Sequence, residues 1–366
     1  MSENVNHAKK VFVGMSGGVD SSVSAALLLE QGYEVVGVFI KVWQADFLPC
    51  TWREERREAM RAAAHLRIPF LTLDLEKEYK EGVVDYMIRE YGAGRVPNPD
   101  VMCNKHVKFG AFLDFAKKNG TDFIATGHYA RKEEYGRDEM RYRLLAGEDK
   151  EKDQSYFLWT LTQKQLARTL FPVGHLQKSE VRALAHKYGL PNADKKDSQG
   201  LCFMGAVDMA EFLKHYLHTQ SGTVLDHEGN VIGTHDGALL YTIGQRHGFR
   251  IHNQQVNETP YFVTSKDMAN NTLTVAHRTH EEKTTETSEL LVTDLHLITK
   301  KTVCGEKGIF ARIRYRGELF PITVSKAEAA NTFHVSFLKT IDGVAAGQSI
   351  VFYENNDCLG GAIITA

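Results

Sequence analysis

The segment VFVGMSGGVDSS at residues 11–22 carries the pattern from which the fold can be predicted. Val11–Met15 is apolar and is expected to form a buried strand. Apolar residues recur at helical spacing over Asp20–Gln31, and Gly32 is a common residue at a helix end. Between the strand and the helix stands a turn of small residues, Ser16–Gly18. The segment therefore predicts a strand, a glycine turn and a helix in direct succession.

The same alternation of strand and helix continues on the C-terminal side of this segment. The predicted strands are Glu34–Trp43, Phe70–Leu75 and Asp122–Gly127, and the predicted helices are Arg53–Leu66, Lys77–Tyr91 and Lys105–Lys118. Nearly continuous apolar strands that alternate with helices indicate a parallel sheet covered on both faces. Right-handed crossovers place the carboxyl ends of such strands along one edge, where ligands usually bind. We therefore predict a Rossmann-like N-terminal domain.

From about Ser221 the pattern changes to short β-like runs with little helical periodicity. The last six of these runs are Ser288–Leu297, Gly308–Tyr315, Phe320–Val324, Thr332–Phe337, Ser349–Tyr353 and Gly361–Thr365. Short strands separated by turns are typical of a compact β-barrel or sandwich. The predicted fold class is α/β plus β, with a parallel-sheet domain over residues 1–210, a small central domain over 211–281 and a C-terminal β-barrel over 282–366.

The composition excludes several classes of protein. Of the 366 residues, 43% are hydrophobic and 25% are charged, which is typical of a soluble globular protein. The polar start and the short apolar runs predict a cytoplasmic protein with no membrane association. The 44 basic and 46 acidic residues argue against a general positive coat, although RNA binding depends on where the cations lie. Five scattered cysteines without a C-x-x-C pair argue against a disulfide scaffold and a structural zinc site.

The turn at Ser16–Gly18 has the features of an anion site. Backbone N–H groups can approach an anion closely there, the helix N-terminus adds partial positive charge, and Ser21 and Ser22 can cap the helix or donate hydroxyls. An ordinary strand-to-helix turn is the alternative. However, S-G-G-x-D-S after an apolar strand resembles the loop of adenylating enzymes that split ATP, and it matches neither a Walker loop nor a dinucleotide fingerprint. We therefore predict a PP-loop ATP pyrophosphatase domain, in which the loop would stabilise departing pyrophosphate.

Two cysteines stand in turns that favour reactivity. Cys103 lies in PNPDVMCNK at residues 97–105, near the expected start of a helix, which would lower the thiol pKa. Asp100 could cap that helix or act as a general base, and the residues alone favour the cap. Cys202 lies in KKDSQGLCF at residues 195–203, an electropositive loop. A lone cysteine is more often a small buried residue, and we assign that role to Cys50, Cys304 and Cys358.

Alternation in Ile309–Arg316 predicts a strand face rich in arginine. Arg312, Arg314 and Arg316 would share that face. A solvated barrel strand is the common alternative, but three arginines with few nearby acids would also form a track for RNA phosphates.

Further motifs complete a resemblance to a known family. They are RVPNPDVMCNKHVKFG (95–110), ATGHYA (125–130), KDQSYFL (152–158), FPVGHLQKSEVR (171–182), KKDSQGLCFMG (195–205), YTIGQRHG (241–248), RYRG (314–317), AGQSIVFY (346–353) and CLGGAII (358–364). With GMSGGVDSS they make the chain similar, nearly end to end, to bacterial tRNA-specific 2-thiouridylases of the MnmA type.

The resemblance implies a set of site residues. ATP would contact Gly14, Met15, Ser16, Gly17, Gly18, Val19, Asp20, Ser21, Ile40 and Gly127. Cys202 would carry a persulfide, Cys103 would be its partner thiol, and Asp100 would be the general acid/base. The flipped base and the rest of the tRNA would contact Asn98, Pro99, Asp100, His128, Lys152, Asp153, Gln154, Arg314, Tyr315 and Gln348.

The resemblance also implies an activity, ATP-dependent 2-thiolation of the wobble uridine of tRNA by a tRNA-uridine 2-sulfurtransferase. ATP would be a substrate accompanied by Mg²⁺, with no tightly bound cofactor. The expected partners are tRNAs for Lys, Glu and Gln and either a persulfide sulfur-relay protein or a cysteine desulfurase. Cys103 and Cys202 would form a disulfide in each turnover, which requires Cα atoms ~4.4–6.8 Å apart.

Two rival functions share parts of this pattern. A lysidine-forming or amide-forming ligase with the same loop would need no persulfide cysteine. A non-enzymatic tRNA-binding or sulfur-carrier protein would need no working nucleotide site. Neither explains the loop and both cysteine motifs together.

Overall fold

The computed structural model describes residues 8–136, 141–197, 209–252, 259–277, 287–299 and 301–365. Within these ranges no helix is both long enough and apolar enough to cross a membrane. The strands of the N-terminal region are β1 (Lys10–Gly14), β2 (Glu34–Lys41), β3 (Phe70–Asp74), β4 (Phe123–Ala125), β5 (Ala130–Tyr135), β6 (Arg141–Ala146) and β7 (Thr169–Leu170). Five of them form a parallel sheet in the order β3-β2-β1-β4-β7, as the alternating pattern predicts.

Helices cover both faces of this sheet. They are α1 (Val19–Glu30), α2 (Trp52–His65), the run α3 (Glu76–Tyr79, Lys80–Val84 and Asp85–Gly92), the run α4 (Pro99–Met102, Cys103–Ala111 and Phe112–Lys118), α5 (Gln163–Ala167) and α6 (Lys178–Lys187). Val11 and Val13 of β1 point into the core formed with α1 and α2, whereas Phe12 points into the core formed with α3 and α4. This alternation is what a strand buried on both faces requires.

The run α4 differs from the sequence prediction at its start. It begins at Pro99 rather than Lys105, because Pro99 is preorganised for the first helical turn and Asn98 caps it by accepting a hydrogen bond from Val101 N at 3.3 Å. The expectation that Asp100 caps the helix is therefore wrong. The segments Lys80–Val84 of α3 and Cys103–Ala111 of α4 are π-helical. They pack together, and a Cβ on Gly82 would lie 2.8 Å from His106 Cβ.

The central region contains a second sheet of five strands. After α7 (Met209–Lys214) come β8 (Gly222–Leu225), β9 (Val231–His235), β10 (Arg250–Ile251), β11 (Tyr261–Asp267) and β12 (Thr272–His277). Their order is β10-β9-β8-β12-β11. This region contacts the end of α3, where Leu217 lies beside Gly92 and Met268 beside Gly94. It therefore supports the segment that leads into α4.

The C-terminal region is a closed antiparallel barrel of six strands. They are β13 (Thr287–Leu297), β14 (Phe310–Arg312), β15 (Phe320–Lys326), β16 (Thr332–Ile341), β17 (Ser349–Glu354) and β18 (Asp357–Ile364). The order is β13-β16-β15-β14-β17-β18, and pairing of β13 with β18 closes the barrel. β18 also pairs with β6, so the hairpin β5–β6 of the N-terminal region joins the barrel sheet. The predicted α/β plus β fold class is thus confirmed.

The predicted arginine face is wrong. β14 ends at Arg312, and a turn follows in which Arg316 adopts a left-handed backbone with φ of 59°. Arg312 is directed inward to Asp153 Oδ2 at 3.2 Å, and Arg314 Nη2 lies 3.3 Å from Asp342 Oδ1 at the surface. The turn breaks the alternation on which the prediction depended, so the three side chains do not share a face.

Candidate active site

A cavity of about 850 Å³ opens at the carboxyl ends of β1, β2 and β4. Its wall includes the loop after β1, Ile40 at the end of β2, the segment 126–129 after β4 and one face of α4. Tyr315 and Arg316 of the barrel close its far side. The cavity lies at the sheet edge where the sequence predicted ligand binding, and it also reaches the barrel, which the sequence did not predict.

The loop after β1 approaches neighbouring backbone too closely for larger residues. Gly17 has a φ of 77°, and a Cβ there would lie 2.6 Å from Glu55 O. A Cβ on Gly127 would lie 2.8 Å from Ser21 N, so the segment after β4 rests on the start of α1. Gly18 stands at the N-cap of α1 without any side-chain cap. The backbone N–H groups of the first turn are therefore available to an anion such as a phosphate.

The hydroxyl groups of Ser21 and Ser22 form hydrogen bonds within the loop and do not cap α1. Ser21 Oγ donates to Gly18 O at 3.1 Å and accepts from Ser16 N at 3.3 Å. Ser22 Oγ donates to the same carbonyl at 3.1 Å. These contacts fix the shape of the loop before any ligand binds. Of the predicted ATP contacts, all but Gly17 line the cavity, and Gly17 shapes the turn.

An ion network links this loop to the segment that precedes Cys202. Asp20 Oδ1 accepts hydrogen bonds from Tyr129 Oη at 2.8 Å and Lys178 Nζ at 2.6 Å. Lys178 also contacts Asp197 Oδ1 at 2.9 Å, and Lys152 contacts Asp197 Oδ2 at 2.6 Å. Burial alone would raise the pKa of Asp197, but the hydrogen bonds from Lys152 and Lys178 outweigh it and lower the pKa to about 2. The network therefore holds Asp197 charged at neutral pH.

One face of α4 forms the wall opposite the loop. It presents Asp100, Cys103, Asn104, Val107 and Lys108 to the cavity. Burial raises the pKa of Asp100, and the nearby charge of Lys108 opposes that rise in part. A carboxyl group with a raised pKa is suited to general acid/base chemistry. Cys103 is buried at 5% exposure, yet it reaches the cavity.

His128 lies between the loop and this helix face. Its Nδ1 lies 2.7 Å from Thr126 Oγ1. Burial, together with the charge of Lys108, holds the pKa of His128 well below its usual value. His128 is therefore a neutral hydrogen-bonding group at physiological pH.

The structure divides the predicted tRNA contacts into two groups. His128, Lys152, Gln154 and Tyr315 line the cavity together with Asp100. The other predicted contacts, which are Asn98, Pro99, Asp153, Arg314 and Gln348, are absent from its wall. Cys202 lies outside the described residues.

Asp153 and Gln348, two of the predicted tRNA contacts that are absent from the cavity wall, form hydrogen bonds within the protein. Asp153 is 3% exposed and accepts hydrogen bonds from Gly147 N and Ser155 N, both at 3.0 Å, and from Arg312. Its side chain is thus part of the interior. Gln348 Nε2 donates to Val96 O at 3.0 Å and so supports the chain just before Asn98.

Sequence reasoning missed Tyr129, Lys178, Asp197 and Lys108 as members of the site. All four stand inside motifs quoted above: Tyr129 in ATGHYA, Lys178 in FPVGHLQKSEVR, Asp197 in KKDSQGLCFMG and Lys108 in RVPNPDVMCNKHVKFG. Their roles depend on contacts between distant segments, which local spacing does not reveal. Among the described residues no group of three or more His, Cys, Asp or Glu side chains could hold a metal ion.

The other cysteines differ from one another. Cys358 is buried, and burial raises the pKa of its thiol, in keeping with a packing residue. Cys304 is half-buried beside the barrel core. Cys50 is exposed, so its assignment as a packing residue is wrong.

Comparison with family models divides the chain into three matches. Residues 9–206 match the tRNA methyl transferase HUP domain, residues 210–277 the tRNA methyl transferase PRC-barrel domain, and residues 287–364 the aminomethyltransferase beta-barrel domain. The matches follow one another without overlap, and together they span nearly all of the described residues.

Curated relatives match over almost the whole length. The tRNA-specific 2-thiouridylase MnmA of Enterococcus faecalis is 44% identical over 98% of this chain and 96% of its own length. The protein of the same name from Nitrosomonas eutropha is 45% identical over 97% of this chain and 98% of its own length. That of Streptococcus thermophilus is 44% identical, again over 98% of this chain and 96% of its own length.

Proposed function

The chain belongs to the tRNA-specific 2-thiouridylase family, and from that premise we propose that it replaces the 2-oxygen of the wobble uridine of tRNA with sulfur in an ATP-dependent reaction. One observation carries the proposal. A single cavity joins the anion loop to the helix face that presents Asp100 and Cys103. A nucleotide bound on the loop and a base beside the helix would therefore share one enclosed space.

The first step is adenylation of the uracil. The triphosphate lies on the loop and on the N-terminus of α1, whose amides favour negative charge. Uracil O2 attacks the α-phosphorus, the bond from this phosphorus to the β-phosphate oxygen breaks, and pyrophosphate leaves. Asp100 accepts the N3 proton, a role that its raised pKa supports. The product carries AMP on O2, which converts that oxygen into a good leaving group.

The second step brings in sulfur. A persulfide sulfur-relay protein or a cysteine desulfurase loads Cys202 with a terminal sulfur. The sulfur reaches C2 either as the Cys202 persulfide or as hydrosulfide released when Cys103 attacks Cys202, and AMP departs with the former O2. In the first case Cys103 then attacks the Cys202 sulfur and frees the thiouridine. Both routes form a Cys103–Cys202 disulfide, which a reductant reopens.

Individual basic and aromatic side chains on the cavity wall support a nucleic-acid substrate. Lys152, Lys196 and Arg316 line it beside Tyr315, whose ring centroid lies 4.5 Å from that of Phe157. Cations and aromatic rings of this kind bind phosphates and flipped bases. The described residues offer no protein cage for a cation, so Mg²⁺ would be held by the triphosphate and would neutralise part of its charge. The expected acceptors are tRNAs for Lys, Glu and Gln.

Nucleoside mass spectrometry tests the proposal. Unmodified tRNA is incubated with Mg-ATP, a persulfide donor and each of four proteins, namely wild type, Cys103→Ser, Cys202→Ser and Cys50→Ser. We expect 2-thiouridine from wild type and from Cys50→Ser, because Cys50 is exposed and absent from the cavity wall. We expect none from the other two. If wild type adenylates the tRNA without thiolating it, a ligase function replaces the proposed one.

A further inference from the structure

Arg316 stands in the turn after β14, at a position where an arginine is unexpected. Gly317 N donates to Arg314 O at 3.0 Å, which closes a four-residue turn with Arg316 as its third residue. Arg316 has a φ of 59° there. A left-handed third position is normally occupied by Gly or Asn, which adopt that conformation at the least cost. Arginine therefore occupies this position against the preference of the backbone.

The other left-handed residues that are not glycine have a local explanation. Among the residues that the structure describes, they are four Asn or Asp residues and Arg67. Asn and Asp tolerate this conformation because their side chains are short and polar. Arg67 stands just past the end of α2, and Ile68 N donates to Ala63 O at 3.1 Å, a hydrogen bond typical of helix ends. Arg316 follows a strand and not a helix, so local structure does not account for it.

The side chain of Arg316 lies at the mouth of the cavity, where the Tyr315 ring supports it. Arg316 lines the cavity and is exposed. Its guanidinium carbon lies 5.0 Å from the centroid of the Tyr315 ring, which in turn packs on Phe157. A supported guanidinium offers a planar fork of N–H donors, which matches the oxygens of a phosphate. Lys196 lines the same cavity, but an ammonium group on a flexible stem provides no such fork.

We propose that Arg316 binds one of the two phosphates that flank the wobble uridine of tRNA. This assignment rests on the proposed function. The reacting base would lie inside the cavity beside Asp100 and Cys103, and Cys103 is only 5% exposed. The charged sugar–phosphate chain would stay in water at the mouth while the base turns inward. A contact between Arg316 and that chain would hold the RNA in register, as phosphate contacts generally do.

Binding of chemically altered tRNA tests the assignment. Two tRNAs are prepared, each with a neutral methylphosphonate in place of one of the phosphates beside the wobble uridine, and their Kd values are compared with that of the unaltered tRNA. We expect one of the two replacements to weaken binding to the wild-type protein by about tenfold. Arg316→Met should weaken binding of the unaltered tRNA by a similar factor. The variant and that methylphosphonate together should cause no further loss, because both remove the same contact.

Two glycine variants separate the contact from the fold. Arg316→Gly relieves the left-handed backbone, so this protein should unfold at the same or a higher temperature than wild type and still lose tRNA affinity. Arg67→Gly makes the same change at the end of α2, away from the cavity wall. It should also stay folded, and it should bind every tRNA as wild type does.

Lys196→Met examines the competing cation and should remain as sensitive to the methylphosphonate as wild type. The assignment is overturned if neither methylphosphonate weakens binding to wild type, or if folded Arg316→Met and Arg316→Gly keep the wild-type affinity. It is also overturned if the sensitivity disappears in Lys196→Met and persists in Arg316→Met. Formation of 2-thiouridine in the unaltered tRNA is measured separately. If wild type forms none, the proposed function is wrong, whatever the affinities.

Discussion

Two aspartates show that the surroundings of a carboxyl group decide the direction of its pKa shift. Asp197 receives hydrogen bonds from lysines that outweigh its burial, and its pKa falls to about 2. Asp357, at the start of β18, lies 3.8 Å from Arg143 without a hydrogen bond to it, and its Oδ1 has no partner. Burial dominates there and raises the pKa of Asp357 to about 6. The first carboxylate is stabilised in the fold, and the second is not.

Asp357 should make stability depend on pH. Because its pKa in the fold exceeds its unfolded value, its favourable contribution is complete below about pH 4 and is lost as the pH rises through 6. Asp357→Asn should therefore raise the free energy of unfolding by about 2 kcal/mol at pH 7 and by little at pH 4. Urea unfolding at both values measures this. Glu354→Gln, at a carboxylate paired with Lys301, should give no such gain.

Among single residues, the sequence predicted some members of the site and missed others. The loop residues other than Gly17, together with Asp100 and Cys103, were predicted and do line one cavity. Asp100 was misjudged as a cap because Pro99, which starts the helix one turn early, was counted as part of the preceding turn. Lys178 was missed because its partners, Asp20 and Asp197, are far away in sequence. Contacts of that range follow from the fold and not from local spacing.

The close packing of the two π-helical segments depends on one glycine, Gly82. Any side chain at Gly82 would press on His106, which lies in the segment that also holds Cys103 and Lys108. π-helical turns inside α-helices occur frequently at functional sites. Here the wider turn helps to set which residues of α4 face the cavity. The absence of a side chain at Gly82 thus helps to position the proposed catalytic face.

Gly82→Ala should therefore destabilise the protein and reduce thiolation. The added methyl group would lie 2.8 Å from His106 Cβ, and overpacking of this kind costs about 1–3 kcal/mol. Gly92→Ala, in the same helical run, would meet its nearest atom at 3.4 Å and should be neutral or slightly stabilising. Thermal unfolding and 2-thiouridine formation by both variants measure the difference. If the two variants are equally stable, α3 and α4 accommodate the added methyl group without loss of stability, and the prediction is wrong.

The sequence predicted the ends of some elements more closely than those of others. Long periodic runs such as α1 and α2 are found within a residue or two of their predicted ends. The run at 309–316 failed because alternation extends beyond β14 into a turn, where Arg316 leaves the extended conformation. Alternate residues share a face only where the backbone is an extended strand, and the sequence does not show where that strand ends.

Across the whole molecule, the barrel is joined to the N-terminal region by a shared sheet and by buried hydrogen bonds. β18 pairs with β6, Tyr156 Oη donates to Ser349 O at 2.8 Å, and Trp159 Nε1 donates to Ser349 Oγ at 3.1 Å. These groups are buried. The two regions should consequently unfold together and not as independent units.

Ser349→Ala tests this coupling. The substitution leaves Trp159 Nε1 buried without its acceptor, which should lower the free energy of unfolding by about 1–3 kcal/mol. Differential scanning calorimetry should show one transition that moves to lower temperature as a whole. Ser325→Ala, at an exposed position of β15, should leave the temperature of that transition unchanged. Separate transitions, of which Ser349→Ala moves only one, would contradict the coupling.

The shared sheet also has a consequence for selectivity. Because hydrogen-bonded strands connect the barrel to the N-terminal region, we expect the opening between Tyr315 and α4 to change little when RNA binds. The deformation that brings a base into the cavity would then fall on the RNA and not on the protein. Unstacking a loop base takes a few kcal/mol. Discrimination among anticodon loops would then depend on how readily each loop releases its base, which is a property of the RNA.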